Sequence, residues 1–461
     1  MRPSRRLRRH WPLAALLVAG AALRALALVA IYPGSWFSDS NEYVRTAATG
    51  TLSLIRVVGY SLVVAPFWRL GSAAALIVVQ HLLGLAMVVA LYALLLRRGV
   101  PRGFALLAVV PAALDAYLIA IEHMIMSETV FHAALVGALL LVLWPERPSV
   151  PAVAAGGLLI GYAAVVRSVA MPFVALFVAY LLARRLGAAR AVAFVVPWAL
   201  VVAGYVALFD AQHHHLGFTQ YSGRFLYGQV APFADCAKLP GLPANERRFC
   251  PDPRHRVSRN SYMWGAHTPI RGLPASEDPA VGDFAKRVIR AQPLDYVATV
   301  AGSFAHYFVP GHWITRNDYP IVAWQFPLDP TQSTYPGFRG PIRPRARHPL
   351  RRTDPNRYVG RMASDPKTNT TASRLLHYYQ HVVYSSGQVL LPCLLIVLAA
   401  LGLRRGSVRL RLDAALLAGL ALTALLVASV FSLFDYRYGL GPTILLPAAA
   451  ALAGTTLRRA V

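Results

Sequence analysis

The chain of 461 residues is 56% hydrophobic and only 14% charged, with a mean hydropathy of +0.47. Soluble domains carry charge on about 25% of their residues, so this composition excludes an ordinary soluble globular protein. The apolar residues fall in long uncharged runs, which predicts an all-α polytopic membrane protein.

The formal net charge of +26 does not indicate nucleic acid binding. Much of the excess is arginine at the ends of apolar runs, where the positive-inside rule places it. The remainder lies in one long polar segment, residues 210–383, where it could meet anionic headgroups or a phosphate-bearing substrate. We therefore expect the lipid bilayer, and no nucleic acid, as a partner.

Apolar runs of about 20 residues predict about ten transmembrane helices, some of them short or broken. Arg-rich connections alternate with Arg-poor ones, and the Arg-rich side is predicted to be cytoplasmic, with both termini inside. The first run follows Arg-rich residues 2–9 and is predicted to be an uncleaved span rather than a signal peptide. The runs lie near residues 11–32, 73–96, 103–121, 127–144, 151–166, 169–186, 190–209, 384–403, 412–431 and 438–457.

This pattern divides the chain into three parts. Residues 1–209 form an N-terminal transmembrane module that includes a loop at 33–50, and residues 384–461 form the last three helices. Residues 210–383 are rich in Pro, Arg, Tyr and Trp and have no long apolar run. A segment of this length is too long for a simple loop, so we expect a small extracytoplasmic domain. Its Pro- and Arg-rich stretch from Pro336 to Arg361 is predicted to be extended.

The three cysteines lie in two different settings. Cys236 and Cys250 share the polar segment and could form a disulfide if that segment is exported. Cys393 lies in an apolar run and is predicted to be buried.

The strongest functional signal is a set of ionisable residues at the predicted outer ends of the spans. Ionisable groups at membrane depth are costly and are usually functional. We expect every unusual polar residue of the apolar parts to lie on this outer side. The set comprises Asp39, Glu42, Glu122, His123, Glu128, Arg167, Asp435 and Arg437.

Asp39 lies where the chain leaves the first span. A carboxylate there could act as a general base, and the clustering of other ionisable groups favours this interpretation. The alternative is a helix N-cap, because Ser38-Asp39-Ser40 precedes residues 42–48, which predict a short amphipathic helix along the membrane interface. Glu42 is either a second carboxylate of the site or a first-turn charge favoured by the helix dipole.

Glu122, His123 and Glu128 surround the turn between the third and fourth spans. They could complete an acid–base site, bind an acceptor, or hold a divalent cation with Asp39, although no spacing here is diagnostic of a metal. The alternative is that Ser127 and Glu128 cap the fourth helix.

The remaining cations stand in two other outward turns, Arg167 between the fifth and sixth apolar runs and Arg437 before the last run. Arg437, between Tyr436 and Tyr438, could clamp a phosphate bidentately, or it could pair with Asp435 among interfacial tyrosines. Arg167 could pair with a carboxylate of the site, contact a lipid phosphate, or extend to the interface.

In their order along the chain, these residues resemble the GT-C superfamily of glycosyltransferases that use polyprenyl-phosphate sugars. That superfamily includes protein mannosyltransferases, aminoarabinose transferases and actinobacterial arabinosyl- and mannosyltransferases. The first loop departs from protein mannosyltransferases, which commonly carry an adjacent acidic pair there. The resemblance covers residues 1–209 and 384–457. It is carried by Ser38-Asp-Ser-Asn-Glu-Tyr43, Gly59-Tyr-Ser-Leu-Val-Val-Ala-Pro66, Ser127-Glu128, Gly161-Tyr-Ala-Ala-Val-Val-Arg167 and Asp435-Tyr-Arg-Tyr438.

The resemblance implies an inverting glycosyltransferase that moves a sugar from a polyprenyl-phosphate carrier to an acceptor outside the bacterial cytoplasmic membrane. The acceptor would be a glycan, lipid or protein of the cell envelope. Asp39 would be the general base, with Glu128 and Glu42 as further catalytic candidates. No metal ligands are assigned, no cofactor is certain, and a divalent cation remains open. The substrate-binding candidates are Glu122, His123, Arg167, Arg437 and Tyr438.

Two other classes of function remain open from the sequence. A membrane transporter or lipid flippase would place polar residues through the membrane midplane and would favour internal repeats. A non-catalytic envelope-assembly factor could use the same fold. The Ala-, Leu- and Arg-rich, Lys-poor composition is typical of a high-GC bacterium.

Overall fold

A computed structural model describes residues 5–331, 338–341, 358–362, 367–403 and 406–458. Regular structure in these ranges is mostly helical. Much of the predicted extended stretch from Pro336 to Arg361 lies outside the described residues. The helices are α1 (Arg5–Ala30), α2 (Ser38–Thr49), α3 (Gly59–Leu70), α4 (Ala73–Arg97), α5 (Arg102–Leu114), α6 (Ala116–Glu122), α7 (Glu128–Leu143), α8 (Val150–Val166), α9 (Phe173–Ala183), α10 (Ala188–His213), α11 (Ser222–Val230), α12 (Arg259–Trp264), α13 (Asp278–Ala291), α14 (Pro293–His306), α15 (Thr370–Val382), α16 (Gly387–Gly402), α17 (Val408–Phe431) and α18 (Leu440–Arg458). The strands are β1 (Ile31–Tyr32), β2 (Ser35–Phe37), β3 (Phe338–Pro341) and β4 (Lys367–Thr368).

The predicted apolar runs all fall on helices. Among the described residues, five helices are long and apolar enough to cross a membrane, or up to seven if each bent pair counts as one span. Helices α5 and α6 meet at 51°, and α15 and α16 meet at 41°. Shorter apolar helices cover Glu128–Leu143, Val150–Val166 and Ser168–Ala183. The chain is therefore a multi-pass membrane protein, and the count of ten spans stays a prediction.

Asp115 explains the bend between α5 and α6. Its backbone is extended, and its carboxylate accepts hydrogen bonds from the N–H groups of Tyr117 and Leu118 (both 2.9 Å), which caps α6. The other carboxylate oxygen accepts from the N–H of Ser385 (2.6 Å), close to the break between α15 and α16. One buried side chain thus links the two bent pairs, because its two oxygens serve both breaks.

The loop that follows α1 is held by short strands. Strand β1 pairs antiparallel with β4, and β2 pairs antiparallel with β3. Ser35 also forms backbone hydrogen bonds to residues 123 and 125, which follow α6 (2.9 and 3.2 Å). Residues 31–37 are therefore fixed between the helical bundle and the long segment before α16.

Helix α2 begins directly after this loop. The prediction of a helix at residues 42–48 is confirmed, and the helix starts four residues earlier, at Ser38. The loop places the first turn of α2, and with it Asp39, beside the ends of α7 and α8. The position of α2 relative to a membrane interface stays a prediction.

Residues 227–288 have a small hydrophobic core of their own. Tyr227, Phe249 and Phe284 are fully buried in it. Cys236 and Cys250, whose Cα atoms are 6.1 Å apart, are disulfide-bonded beside this core. The later part of the predicted extracytoplasmic domain is different, because Trp324 and Leu376 pack into the main helical core. The three-part division of the chain stays a prediction.

The disulfide should stabilise this small core. The two cysteines are 14 residues apart in sequence, and a loop of that size predicts a loss of about 3 kcal/mol when the bond is removed. We expect the double variant Cys236→Ser/Cys250→Ser to be cleaved within residues 221–292 at a lower urea concentration than the wild type in pulse proteolysis. Cys393→Ser, which removes a free cysteine, is the control. Equal cleavage midpoints in the double variant and the wild type would contradict the prediction.

Candidate active site

Asp39 lies in the first turn of α2 and is 8% exposed. Its Oδ1 accepts a hydrogen bond from Arg56 Nη2 (2.7 Å), and its Oδ2 accepts from Arg437 Nη1 (3.2 Å). The residue before the helix is Phe37, whose N–H donates to Ser40 Oγ (3.0 Å). The N-cap interpretation of Asp39 is therefore wrong, because its carboxylate binds two guanidinium groups instead of the helix end.

Arg437 lies at the centre of the site, in the 3-10 turn Tyr436–Gly439 that leads into α18. It is 7% exposed, and its guanidinium lies over the ring of Trp324, 4.7 Å from the centroid. The same guanidinium also faces Tyr438 at 5.1 Å. Its carboxylate neighbours are Asp39 Oδ2 (3.2 Å), Glu128 Oε1 (3.4 Å) and Asp435 Oδ2 (3.4 Å). Arg437 therefore pairs with Asp435, as one interpretation of the sequence predicted, and it also contacts Asp39 and Glu128. The interpretation that it binds a phosphate stays a prediction.

Glu128 is the first residue of α7 and is 2% exposed. Its Oε1 is ion-paired with Arg167 and lies 3.4 Å from Arg437 Nε. Its Oε2 is buried and has no hydrogen-bond partner among the residues that the structure describes. Glu128 therefore presents one ion-paired oxygen, Oε1, and one oxygen available for a hydrogen bond, Oε2, to the site.

Arg167 ends α8 in an extended conformation, which turns its side chain back toward α7. It pairs with Glu128, donates to Ser127 Oγ (3.2 Å) and lies over the ring of Tyr438, 5.6 Å from the centroid. Ser127 Oγ also accepts from Tyr43 Oη (3.1 Å) and makes no cap hydrogen bond. Ser127 therefore occupies the N-cap position of α7, as the capping alternative has it, but its hydroxyl binds Tyr43 and Arg167 instead of the helix end.

Three guanidinium groups and three carboxylates thus form one set, which we call the charge cluster. Its members are buried except for the partly exposed side chains of Arg56 and Arg167 (27% and 17% exposed). Its formal charge is zero. Burial alone would raise the pKa of Asp39, but Arg56 and Arg437 outweigh that effect and hold the pKa below its usual range. Asp39 is therefore ionised at neutral pH. The charge cluster consists of Asp39, Arg56, Glu128, Arg167, Asp435 and Arg437.

Glu42, a predicted site residue, has its hydrogen-bond partners outside the charge cluster. Its Oε2 accepts hydrogen bonds from Arg45 Nη2 (2.6 Å) and Ser53 Oγ (2.5 Å). The Glu42 and Arg45 side chains are 28% and 37% exposed, so this is a partly solvated pair on α2.

Glu122 and His123 belong to a second buried set, the Glu122 network. Arg24 donates two hydrogen bonds to the Glu122 carboxylate (2.7 and 2.8 Å), and His81 Nδ1 lies 3.0 Å from Glu122 Oε2. His81 Nε2 lies 3.2 Å from His123 Nδ1, and His123 Nε2 lies 2.8 Å from the carbonyl oxygen of Ile31. The network therefore connects α1 and α4 to Ile31, at the start of the loop that leads into the helix of Asp39.

Gly84 on α4 makes room for the Glu122 carboxylate. A Cβ at this position would overlap Glu122 Oε1 and Oε2, well inside van der Waals contact. We expect Gly84→Ala to lower the free energy of unfolding by about 1–3 kcal/mol, because the carboxylate must move away from Arg24. Thermal unfolding in lipid nanodiscs measures the effect. Gly204→Ala, in open space on α10, is the control and should change little. Equal melting temperatures for the two variants would contradict the prediction.

Three side chains of these two sets were not predicted from the sequence as site residues. Arg24 and His81 are isolated ionisable residues within apolar runs, and Arg56 precedes α3. The same signal that selected Asp39 would have found the first two.

The prediction that every unusual polar residue lies on the outer side is wrong. Asp413, which is fully buried, pairs with Arg98 at the predicted cytoplasmic end of α17 (Nε–Oδ2 3.0 Å). Within the described parts of the chain, no group of three or more His, Cys, Asp or Glu side chains is arranged to hold a metal ion.

Comparisons with known proteins leave the chain without an assigned family. No protein-family model matches the chain, and no curated protein matches it. One similar solved structure is the S. cerevisiae protein O-mannosyltransferase Pmt1-Pmt2 complex bound to the sugar donor, with 17% sequence identity and a TM-score of 0.35. The alignment covers 49% of this chain and 36% of that chain. A likeness this weak carries no argument about the function of this chain.

Proposed function

We propose that this protein is an inverting membrane glycosyltransferase that transfers a sugar from a polyprenyl-phosphate carrier to an extracytoplasmic acceptor. The observation that carries the proposal is the buried position of Arg437 among three carboxylates and two aromatic rings. A guanidinium suits a phosphate, and an ionised carboxylate beside it suits a base. The ordered motifs that resemble GT-C enzymes support the same proposal.

The reaction needs two kinds of group. An acceptor hydroxyl attacks the anomeric carbon, its proton passes to a base, and the carbon–oxygen bond to the carrier breaks with its electron pair on the phosphate. Asp39 takes the proton, and Arg437, with Arg167 beside it, stabilises the departing phosphate. Attack from the side opposite the phosphate inverts the anomeric carbon. The leaving phosphate is a stable anion, so a strong general acid is not required.

Arg437 couples donor binding to the basicity of Asp39. In the free protein, Asp39 shares its charge with Arg56 and Arg437 (2.7 and 3.2 Å). A donor phosphate on Arg437 competes with Asp39 for the same guanidinium. Asp39 then loses one of its two cations, and its pKa rises toward that of an effective base. The general base is therefore strengthened only when donor is present.

The other predicted residues take supporting roles in the proposal. Glu128, through its free Oε2, accepts a hydrogen bond from an acceptor hydroxyl. Tyr438 packs against both arginines and fixes their planes. Glu122 and His123 position the loop of Asp39 through Ile31 rather than contacting substrate. Glu42 holds Ser53 near Arg56. The acceptor is a glycan, lipid or protein of a bacterial cell envelope.

The variant Arg437→Lys tests this proposal. Lysine keeps the positive charge that three carboxylates need, but it loses the planar fork that binds phosphate bidentately. We expect kcat/KM for release of polyprenyl phosphate from a labelled donor panel in nanodiscs to fall about 10- to 100-fold. That range follows from roughly 1.5–3 kcal/mol per charge-assisted hydrogen bond.

The control for Arg437→Lys is Arg45→Lys, because Arg45 is a partly exposed arginine on α2. Arg45→Lys should retain activity and the wild-type melting temperature, and Arg437→Lys should remain folded because it keeps the positive charge. Equal turnover in the two variants would contradict the phosphate role of Arg437. If the wild-type protein moves labelled lipid between leaflets but transfers no sugar, the transporter or flippase alternative is favoured instead.

A further inference from the structure

Helix α14 exposes an apolar stripe although it lies in the predicted extracytoplasmic segment. Leu294 is 82% exposed and Val297 is 59% exposed. Ala298, Ala301 and Ala305 are also exposed and continue the stripe at helical spacing, so one face of the helix is apolar along its whole length. A face of this kind requires an apolar partner.

The preceding helix shows the opposite character. Helix α13 exposes Asp283, Lys286 and Arg290, and two of these form an exposed i,i+3 pair (3.0 Å). Helices α13 and α14 are joined at Gln292. The exposed face of α13 is charged, whereas α14 exposes one acidic residue, Asp295 in its first turn, beside the apolar stripe. The difference between the two exposed faces marks a boundary between a solvated surface and an apolar surface.

Both ends of α14 are tied to apolar helices of the bundle. Near its start, Tyr296 Oη donates to the carbonyl oxygen of Val430 in the last turn of α17 (2.9 Å). After its end, Gly387 at the start of α16 packs against the backbone of residues 308 and 309, too closely for a Cβ at that glycine. Gly387 also donates its N–H to the carbonyl oxygen of Val309 (3.2 Å). The stripe therefore lies level with the ends of α16 and α17.

The exposed surfaces of those helices are apolar as well. Leu426 and Phe431 on α17 are 48% and 55% exposed, and Leu395 on α16 is 55% exposed. Helix α17 is one of the five helices long and apolar enough to cross a membrane. Its exposed apolar side chains are the surface expected to face lipid. The stripe on α14 continues that surface beyond the end of the span.

Aromatic and cationic side chains complete the pattern of an interfacial segment. Trp313 is 74% exposed, and Ile314 beside it is 44% exposed. Exposed arginines lie at both ends of the apolar region, Arg290 before it and Arg316 after it. Tryptophan prefers the headgroup level of a membrane, and arginine there attracts anionic headgroups. At 14 residues, α14 is about 21 Å long, too short to span the apolar core of a bilayer.

We infer that α14 and residues 309–314 lie in the boundary between headgroups and acyl chains of the outer leaflet, as a membrane-docking surface of the extracytoplasmic segment. The partner is the lipid surface itself, with anionic headgroups at Arg290 and Arg316. This inference does not depend on the proposed function. In this inference the protein contacts the membrane through α14 at the interface as well as through its spanning helices.

Spin labelling of the full-length protein in nanodiscs tests this inference. Single cysteines at Leu294, Val297 and Trp313 would be introduced into a Cys393→Ser background, and Asp283→Cys on α13 is the matched control. These side chains are all exposed, so labelling should leave the fold intact. Power saturation compares collisions with oxygen, which enters lipid, and with a water-soluble nickel complex.

We expect the labels at Leu294, Val297 and Trp313 to collide at least about tenfold more with oxygen relative to nickel than the label at Asp283 does. Such partitioning follows from transfer into an apolar phase. Equal ratios at all four positions would place the stripe in water and overturn the inference. Labels shielded from both reagents would also overturn it, because a second copy or another protein would then cover the face.

Discussion

Asp39→Asn should reduce sugar transfer by about 100- to 10,000-fold, the range that a positioned general base contributes. Asparagine has nearly the same shape and can still accept hydrogen bonds from Arg56 and Arg437, so the fold should survive. It cannot take a proton from an acceptor hydroxyl. The measurement is transfer from labelled polyprenyl-phosphate sugars to envelope extract, with purified protein in nanodiscs.

Glu42→Gln is the matched control for Asp39→Asn. Glu42 lies on the same helix, three residues further along, but it pairs with Arg45 and Ser53 outside the charge cluster. We expect its activity to stay within about threefold of the wild type, as for a partly exposed pair. Equal transfer by Asp39→Asn and Glu42→Gln would remove Asp39 from the reaction and leave Glu128 as the next candidate base.

The pH dependence of the wild type gives a second readout of the same prediction. The acid limb of kcat/KM reports the free protein, in which two arginines hold the pKa of Asp39 below its usual range, so this limb should lie at lower pH than the titration of an ordinary aspartate. The acid limb of kcat reports the donor complex, in which Arg437 is drawn to phosphate. It should lie at higher pH than the limb of kcat/KM, and coinciding limbs would contradict the competition for Arg437.

Breaking the Arg24–Glu122 pair should cause the largest loss of stability. Both side chains are almost fully buried, at 3% and 4% exposure, so removing one leaves the other charged in the interior without its oppositely charged partner. We expect Arg24→Met alone and Glu122→Gln alone each to lower the free energy of unfolding by about 3–5 kcal/mol. The double variant should recover most of that loss, because no unpaired charge remains. Unfolding in mixed micelles measures all three.

The pair of Glu42 and Arg45 is the control for this double-mutant cycle. It is partly exposed, so Arg45→Met and Glu42→Gln should couple by no more than about 1 kcal/mol. If the Arg24–Glu122 cycle showed a coupling as small as that, the network would not be a tightly paired buried site. Its proposed role in holding the loop of Asp39 through His123 and Ile31 would then lose its basis.

The positions of ionisable residues along the apolar runs predicted much of the charge cluster. Four of its members lie near the ends of such runs: Asp39, Glu128, Arg167 and Arg437. Because successive spans cross the membrane in opposite directions, these ends are expected on the same side. The structure brings these four into contact. Arg56 could not be assigned in the same way, because it stands in a loop whose path depends on the packing of α2 against α3.

The assignment of Glu122 and His123 depended on packing that no pattern reveals. Sidedness places them near Asp39, at the same end of the bundle. The close approach of α6 to α4, which Gly84 permits, instead places Glu122 beside α1, where Arg24 is its bidentate partner. Sequence position predicts the depth of a residue in a span, whereas its neighbours follow from which helices pack together.

The bent helices also could be predicted only in part from the sequence. The apolar run at residues 103–121 reads as one span, and its length hides the break at Asp115. An isolated aspartate inside an apolar run is a signal that can be read from sequence. Its partner, the N–H of Ser385, lies 270 residues away and could not be predicted.

Donor binding by Asp39→Asn, measured in the same nanodiscs in which its transfer activity is assayed, tests the central claim most directly. If Asp39 is a base that competes with phosphate for Arg437, the variant should bind the donor as tightly as the wild type or more tightly, while transfer is lost. If donor binding disappears together with transfer, Asp39 serves only to hold the arginines in place, and the assignment of Asp39 as the general base is wrong.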